Sequence, residues 1–318
     1  MITFIDLFAG VGGFHLAFKG KARCVFASEW DKNARKTYLA NFGDELLKHD
    51  ATFSEDITKV DYHNIPSFDI LCGGFPCQPF SVAGQQKGFA HETQGNLFFN
   101  ILDIIKLHKP KVVFLENVKN LQSHDKGNTF KVIKSALETE GYTVFHKILN
   151  ATTHGNTPQN RERIFIVAFK HKKQAQKFVW PQEIPLTKKW KDCLETSPDA
   201  KYYQTNKESA SVVKMIEGVK NTNSIYQYRR YYIRENKNGV CPTLTANMGT
   251  GGHNVPLILD KDGVRKLTPR ECFNFQGYPQ SFILPKISDA ALYKQAGNSV
   301  PVNVLSRIAD AIIKTQQL

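Results

Sequence analysis

The sequence predicts an α/β fold joined to a smaller part of different texture, and three observations predict it. Short apolar runs alternate with longer helix-like segments as far as Lys170. Glycines or acidic residues stand at the ends of those runs. Across residues 171–265 long apolar runs become few and Lys, Asn, Thr and Tyr accumulate, before order returns at Leu267.

Residues 2–7 read as a first strand that runs into Phe8-Ala9-Gly10-Val11-Gly12-Gly13-Phe14, with a helix following. Glycines there let the backbone approach a ligand closely at a helix N-terminus. A second run, residues 24–28, ends in Glu29-Trp30-Asp31. An acidic residue closing the second strand is placed to accept hydrogen bonds from ribose hydroxyls, and Trp30 offers a face for an adenine ring. The glycine run is not the Gly-x-Gly-x-x-Gly dinucleotide fingerprint, and taken alone it is an ordinary turn. Paired with Glu29 it reads as a nucleoside-cofactor site. Asp56-Ile57 marks the rim of a third strand.

Residues 68–72 form a short buried strand leading into Gly73-Gly74-Phe75-Pro76-Cys77-Gln78-Pro79-Phe80-Ser81. Each proline pushes the residue before it into extended conformations, so Cys77 belongs to a stiff loop at the strand's carboxyl end. Ligands bind at that edge in open α/β sheets. The setting suits a thiol nucleophile; a small, buried, inert thiol is the alternative. Leu97 to Ile105 is apolar around most of a helix and ends before Pro110. Residues 111–115 make the next strand, ending in Glu116-Asn117-Val118, which sets a carboxylate on the same rim as Cys77. A cap or a solvated charge is the ordinary reading of such a residue; the repeated placement points to a site. A helix over 127–140 and a strand over 142–149 follow, and then Gln159-Asn160-Arg161-Glu162-Arg163 enters a strand at 164–169. If Arg161 begins that strand, Arg161 and Arg163 share a face and suit a phosphate or a base carbonyl; a solvated surface pair is the alternative.

In the variable stretch, Gln227-Tyr228-Arg229-Arg230-Tyr231-Tyr232-Ile233-Arg234 interleaves aromatics with arginines, a mixture suited to phosphates and base edges. Asn247 to Asn254 is a glycine-rich, hydrogen-bonding loop. Thr268-Pro269-Arg270-Glu271 carries the cap, proline and acid of a helix start. The run from Gln295 to Val302 is expected to open a C-terminal helix over 302–313, with Asn298 and Ser299 bonding just before it.

The chain has 318 residues and a formal net charge of +13, a balance that favours polyanions. Its six cysteines include no C-x-x-C pair and its ten histidines no paired spacing, so reduced thiols are expected and no metal site is. No apolar run approaches the roughly 20 residues of a membrane span, and the N-terminus does not read as a signal peptide. Cytoplasmic residence and a monomer are expected.

Asp6-Leu-Phe-Ala-Gly-Val-Gly-Gly-Phe14, Glu29-Trp30, Asp56-Ile57, Gly74-Phe-Pro-Cys77-Gln, Glu116-Asn-Val118, Gln159-x-Arg161-x-Arg163, Arg270-Glu271 and Gly297-Asn298-Ser-Val300 form one ordered set. That set resembles the DNA (cytosine-5)-methyltransferases of bacterial restriction–modification type, and covers essentially the whole chain outside residues 171–265. The resemblance implies a Rossmann-like S-adenosylmethionine-dependent methyltransferase domain of residues 1–170 plus 298–318. It implies a smaller, mostly β or irregular target-recognition domain over 171–268 and a hinge over 269–297. S-adenosyl-L-methionine would be the methyl donor and S-adenosyl-L-homocysteine the product. Phe8, Gly10, Glu29, Trp30, Asp56, Ile57, Gly74, Pro76, Leu97, Asn298 and Val300 would line its site, with Glu29 on the ribose and Asp56 on the adenine amine. Cys77, Glu116, Arg161 and Arg163 would be catalytic, with Cys77 attacking carbon 6 of a cytosine flipped out of duplex DNA. Arg229, Arg230, Arg234, Thr245, Asn247, Gly251 and Gly252 would contact that DNA. The stretch from Val240 to Gly252 looks like variable regions of members that methylate short GG…CC palindromes. A cognate restriction endonuclease is implied as functional partner. A transfer-RNA cytosine-5 methyltransferase and a catalytically silent DNA-binding relative are the rival readings.

Overall fold

The computed structural model describes residues 1–76, 97–206, 208–229, 232–250 and 255–316. In chain order its regular elements are β1 (Thr3–Leu7), α1 (Gly13–Phe18), β2 (Arg23–Ser28), α2 (Lys32–Lys48), β3 (Thr52–Ser54), β4 (Ile70–Gly73), α3 (Leu97–His108), β5 (Val112–Val118), α4 (Asn128–Thr139), β6 (Thr143–Asn150), α5 (Ala151–Gly155), β7 (Glu162–Phe169) and α6 (Lys172–Ala175), then α7 (Ala210–Gly218), β8 (Ile225–Arg229), β9 (Tyr232–Asn236), β10 (Leu257–Asp260), β11 (Gly263–Lys266), α8 (Pro269–Asn274), α9 (Asp289–Asn298) and α10 (Val302–Gln316). They divide between two compact units, one of Met1–Leu149, Glu162–Pro181 and Leu305–Leu318, the other of Asn150–Arg161 and Gln182–Val304.

The first unit is built on a seven-stranded sheet in the order β3-β2-β1-β4-β5-β7-β6. This is the α/β architecture the sequence predicts. β1 pairs in parallel with β2 on one side and β4 on the other, and β7 runs antiparallel to β5. The order therefore reverses between β1 and β4, where open α/β sheets part to admit a ligand. Leu7 stands level with Ser28 and Gly73, Ser28 with Ser54, and Gly73 with Leu115. These residues form one row, at which β1, β2 and β4 end while β5 runs on beside β7 to Val118, and the residue after the row in β1, β2, β4 and β5 is Phe8, Glu29, Gly74 and Glu116. Alternation along β1 sends Ile5 and Leu7 into a core with Ile101, Ile105, Leu115 and Ile133, and Phe4 to the opposite face against Phe18.

In the second unit β11-β10-β8-β9 form a four-stranded antiparallel sheet. Tyr226, Leu257 and Val264 pack with Met215 of α7 and Val219 beneath it. Thr268 and Glu271 close the expected capping box at α8: the Thr268 hydroxyl accepts from Glu271 N–H at 3.1 Å and Glu271 Oε2 from Thr268 N–H at 2.8 Å. One helix differs from expectation. Gln295 to Asn298 complete α9 rather than leading into the C-terminal helix, which starts at Val302. α9 is short, and its buried apolar residues Leu292, Tyr293 and Ala296 are too few for a clear periodicity. Among the described residues no helix is long and apolar enough to cross a membrane.

α9 lies directly on the one-turn helix Ala246–Gly249. A Cβ on Gly297 would fall 2.1 Å from both the carbonyl carbon and oxygen of Thr245, and backbone cannot yield as a side chain can. Gly297→Ala is therefore expected to destabilise by at least the ~1–3 kcal/mol of an overpacked core, seen as a drop of several degrees in thermal unfolding midpoint. Gly43→Ala within α2, where the nearest neighbour is Leu39 Cβ at 3.9 Å, should instead leave the midpoint unchanged or raise it.

Candidate active site

The carboxyl edge of the large sheet carries several of the residues singled out in the sequence, among them Phe8, Glu29, Gly74 and Glu116. After β1 the chain turns sharply: Phe8, Gly10 and Gly12 have φ of 54°, 56° and 90°. Positive φ is unusual for phenylalanine and marks strain of the kind concentrated at ligand sites. Gly12 is fixed twice over, because a Cβ there would lie 2.3 Å from the Phe42 ring. Ala9 N–H donates to Ser28 O at 2.9 Å and ties this turn to the end of β2.

Glu29 is half-buried at that end. Its Oε2 accepts from Gly10 N–H at 2.8 Å and its Oε1 from Asp31 N–H at 2.7 Å, so both oxygens are aimed by backbone. Burial raises the Glu29 carboxyl above the usual glutamate value, and the Asp31 and Gly10 amides pull it back. Trp30 beside it is 80% exposed, a large indole that the fold leaves uncovered. Asp56 holds Thr58 with Oδ1, accepting from its amide at 3.0 Å and its hydroxyl at 2.7 Å, and these bonds lower its carboxyl below the usual range. Ile57 is buried next to it. Pro76 is exposed and Leu97 is half-buried at the first turn of α3. Asn298 ends α9 and Val300 lies in the turn to α10, both in the second unit.

At the end of β5, Glu116 is 7% exposed. Its Oε1 meets Arg163 Nε at 3.0 Å. The pair arises from register: Arg163 lies opposite Val118, so it is the diagonal neighbour of Glu116. Burial lowers the Arg163 guanidinium from its ordinary value, and the charge of Glu116 opposes that. On the other side Gly74 lies against the carboxylate: a Cβ there would touch Glu116 Oε2 at 3.5 Å. Asn117, not weighed separately in the sequence, donates Nδ2–H to Phe75 O at 2.8 Å and accepts from Val118 N–H at 2.8 Å. It thereby ties the end of β5 to the segment after β4. Its place beside Glu116 was the only available signal. Cys77 lies outside the described residues.

Arg161 does not begin β7, which starts at Glu162, so the strand face expected to carry both arginines is not formed. Arg161 is fully buried in the second unit, where its guanidinium donates to Leu244 O at 2.7 Å, Gly297 O at 2.9 Å and Ser299 O. Gln159 completes the clamp by accepting from Leu244 N–H at 3.1 Å and donating to Phe275 O at 2.6 Å. Arg229, Arg234, Thr245 and Asn247 all line one groove of about 830 Å³ in that unit. Arg230, Gly251 and Gly252 lie outside the described residues.

Residues 2–314 match the family profile "C-5 cytosine-specific DNA methylase". The chain is 52% identical to Type II methyltransferase M.Bsp6I of Bacillus sp. (strain RFL6), over 99% of each. It is 41% identical to Type II methyltransferase M.HhaI of Haemophilus parahaemolyticus, over 97% of this chain and 93% of that one. In fold it is similar to S. pombe Dnmt2 methyltransferase, with a TM-score of 0.72 at 18% identity and full coverage of both chains. It is similar too to a putative DNA modification methyltransferase encoded within prophage Cp of E. coli, with a TM-score of 0.72 at 19% identity and full coverage of both. With the profile spanning nearly its full length and relatives this similar end to end, the chain belongs to the C-5 cytosine-specific DNA methylase family and is a DNA (cytosine-5-)-methyltransferase.

Proposed function

We propose that this enzyme transfers a methyl group from S-adenosyl-L-methionine to carbon 5 of a cytosine flipped out of a short duplex DNA site, with Cys77 as covalent nucleophile. The observation that carries the reading is the strand-end row, which delivers Glu29 and Glu116 to one rim on either side of the β1–β4 reversal. The residues fit the cofactor: Glu29 has both oxygens oriented by amides toward a use in accepting hydroxyls, and Trp30 leaves a bare aromatic face beside it. Phe8, Gly10, Asp56, Ile57, Gly74, Pro76, Leu97, Asn298 and Val300 complete the proposed binding set. When bound, the cofactor would supply an electrophilic methyl group on a sulfonium.

Carbon 5 of cytosine is a poor nucleophile. Addition of the Cys77 thiolate forms a sulfur–carbon 6 bond, and the electrons of the carbon 5–carbon 6 double bond become available at carbon 5. Glu116, with Oε1 held by Arg163, uses Oε2 to share a proton with ring nitrogen 3 and to accept from the exocyclic amine, which offsets the charge that sulfur brings to the ring. Once carbon 5 has used that electron pair to take the methyl group the cofactor would supply, with S-adenosyl-L-homocysteine as the other product, loss of the carbon 5 proton to a base and expulsion of the thiolate from carbon 6 restore the ring. Arg163 keeps Glu116 oriented. Arg161 acts through the carbonyls it holds, as a positioning residue for the loop at Leu244.

Extrusion of the base costs a few kcal/mol, which contacts from residues 171–268 would offset. Arg229, Arg230, Arg234, Thr245, Asn247, Gly251 and Gly252 are assigned to that DNA contact, on a site that resemblance suggests is a GG…CC palindrome. The chain is taken to act as a cytoplasmic monomer beside a cognate restriction endonuclease. Bisulfite sequencing of plasmid from cells expressing it reads both the site and the modified base; unmodified plasmid beside methylated transfer RNA would reverse the assignment.

Cys77→Ser is expected to abolish methylation while retaining duplex binding, and a duplex carrying 5-fluorocytosine should trap the wild type covalently at Cys77. Absence of that adduct in the presence of methyl donor rejects the nucleophile. Glu116→Gln should lower turnover by about 10²- to 10³-fold with cofactor affinity little changed; a defect mainly in affinity contradicts its role. Because burial raises its carboxyl, Glu29 takes up a proton at higher pH than exposed glutamates near ~4.3, and the neutral form is the poorer acceptor. Affinity for S-adenosylhomocysteine, measured calorimetrically, should therefore be full at neutral pH and fall as pH drops through that raised value. Glu29→Gln should bind weakly with a flat profile.

A further inference from the structure

Within the second unit, β8 and β9 form a two-stranded ribbon with two unlike faces. Tyr226 packs on Met215, Val219, Leu257 and Val264, joined by Tyr228 and Ile233. The alternate residues Gln227, Arg229 and Arg234 point the other way and line the groove. Gln227 stands directly opposite Arg234. Arg229 Nη2–H donates to Gln227 Oε1 at 3.3 Å, so the carbonyl end of that amide is engaged and its two N–H bonds are turned outward. Asn236 Nδ2–H donates to Ile225 O at 3.0 Å and pins the ribbon's other end. Arg234 is exposed and has no acidic partner among the described residues; its neighbour Glu235, which also lines the groove, accepts from Ser224 Oγ–H at 2.8 Å and lies 3.8 Å from Lys237 Nζ.

We propose that this ribbon enters the major groove of the target duplex, with Arg234 reading a guanine and Gln227 donating to an acceptor edge of the adjacent base pair. A two-stranded ribbon fits the ~12 Å width of the major groove. Guanine presents two acceptors there, O6 and N7, which match the guanidinium fork of Arg234. With its oxygen on Arg229, Gln227 is biased toward donation and away from the donor–acceptor pair of adenine. Arg229 is thus a positioning residue for Gln227, and Lys237 at the groove rim serves as a phosphate contact. The proposal rests on the duplex-methylation reading and assigns the base-reading groups within it.

The test is methylation of a random-sequence duplex library by purified enzyme, read by bisulfite sequencing and repeated over a range of salt. Arg234→Ala should lower methylation of the preferred site roughly 5- to 150-fold, the equivalent of ~1–3 kcal/mol per bidentate contact, and relax the preference for guanine at one position per half-site. Arg234→Lys keeps the charge but loses the fork, so it should relax the same position with the salt dependence intact. Gln227→Ala should relax the neighbouring position, whereas Lys237→Ala should weaken all sequences alike and reduce the salt slope by about one. Uniform loss in Arg234→Ala with the guanine preference retained would make Arg234 a phosphate contact and overturn the proposal. A wild type that leaves every duplex unmethylated but modifies transfer RNA would instead overturn the reading beneath it.

Discussion

Parallel pairing in one register is the constraint on which the rest of the first unit depends. Leu7, Ser28, Gly73 and Leu115 stand level because each strand is bonded to its neighbour without slippage at that end. The side-chain period is two, so a slip of one residue in β2 or β5 would turn Glu29 or Glu116 to the other face. Three inter-strand spacings separate β2 from β5, which places the two carboxylate-bearing positions about 14 Å apart along the rim. That is the scale of a nucleoside lying on one side of the reversal with a reacting base on the other. On the proposed reading, the sheet would set the distance between cofactor and substrate before any loop contributes.

The reversed direction of β7 supplies what a wholly parallel sheet could not. Its first residues, not its last, arrive at the carboxyl edge, and Arg163 comes with them to meet Glu116. Both side chains are largely buried, and ion pairs so placed are worth most for orientation, since desolvation consumes much of their attraction. One oxygen is held by a cation that does not deprotonate, and the other faces the bare Cα of Gly74. The carboxylate is tethered through Oε1, and its Oε2 lies beside Gly74. Asn117 fixes the adjoining segment to the same strand end, so Glu116 and the chain leading toward Cys77 share one support.

Much of this was legible in the sequence because buried parallel strands are near-continuous apolar runs, and the residue that breaks each run is the one at the rim. Glu29 and Glu116 declared themselves in that way, whereas Asp56 follows a polar connection and a short, part-exposed strand. Arg161 did not. Alternation suggested a shared face with Arg163, but the strand starts one residue later and Arg161 turns instead to carbonyls of Leu244, Gly297 and Ser299. No local pattern announces a cation that satisfies backbone more than 80 residues away in the chain. The strands of the second unit were hidden for a related reason: they run four or five residues, and in β8 and β9 one face is a polar groove, so their apolar count is low.

That same division lets specificity vary without endangering the fold. The ribbon is anchored by Tyr226 and its apolar neighbours on one side, while Gln227, Arg229 and Arg234 project from the other and bury little. Substitutions on the groove face would, on the proposed reading, remove only contacts to DNA; substitutions on the packed face remove core. The opposite wall is built differently. Thr245 and Asn247 stand on a turn held by the buried clamp of Gln159 and Arg161 and by the close approach at Gly297, where even a methyl group does not fit. One wall of the groove can therefore change its chemistry residue by residue, and the other is fixed by packing that the whole unit shares. On the proposed reading, a change of recognition sequence should arise most readily through the ribbon, because Thr245 and Asn247, though exposed, stand on a turn whose backbone is locked in place.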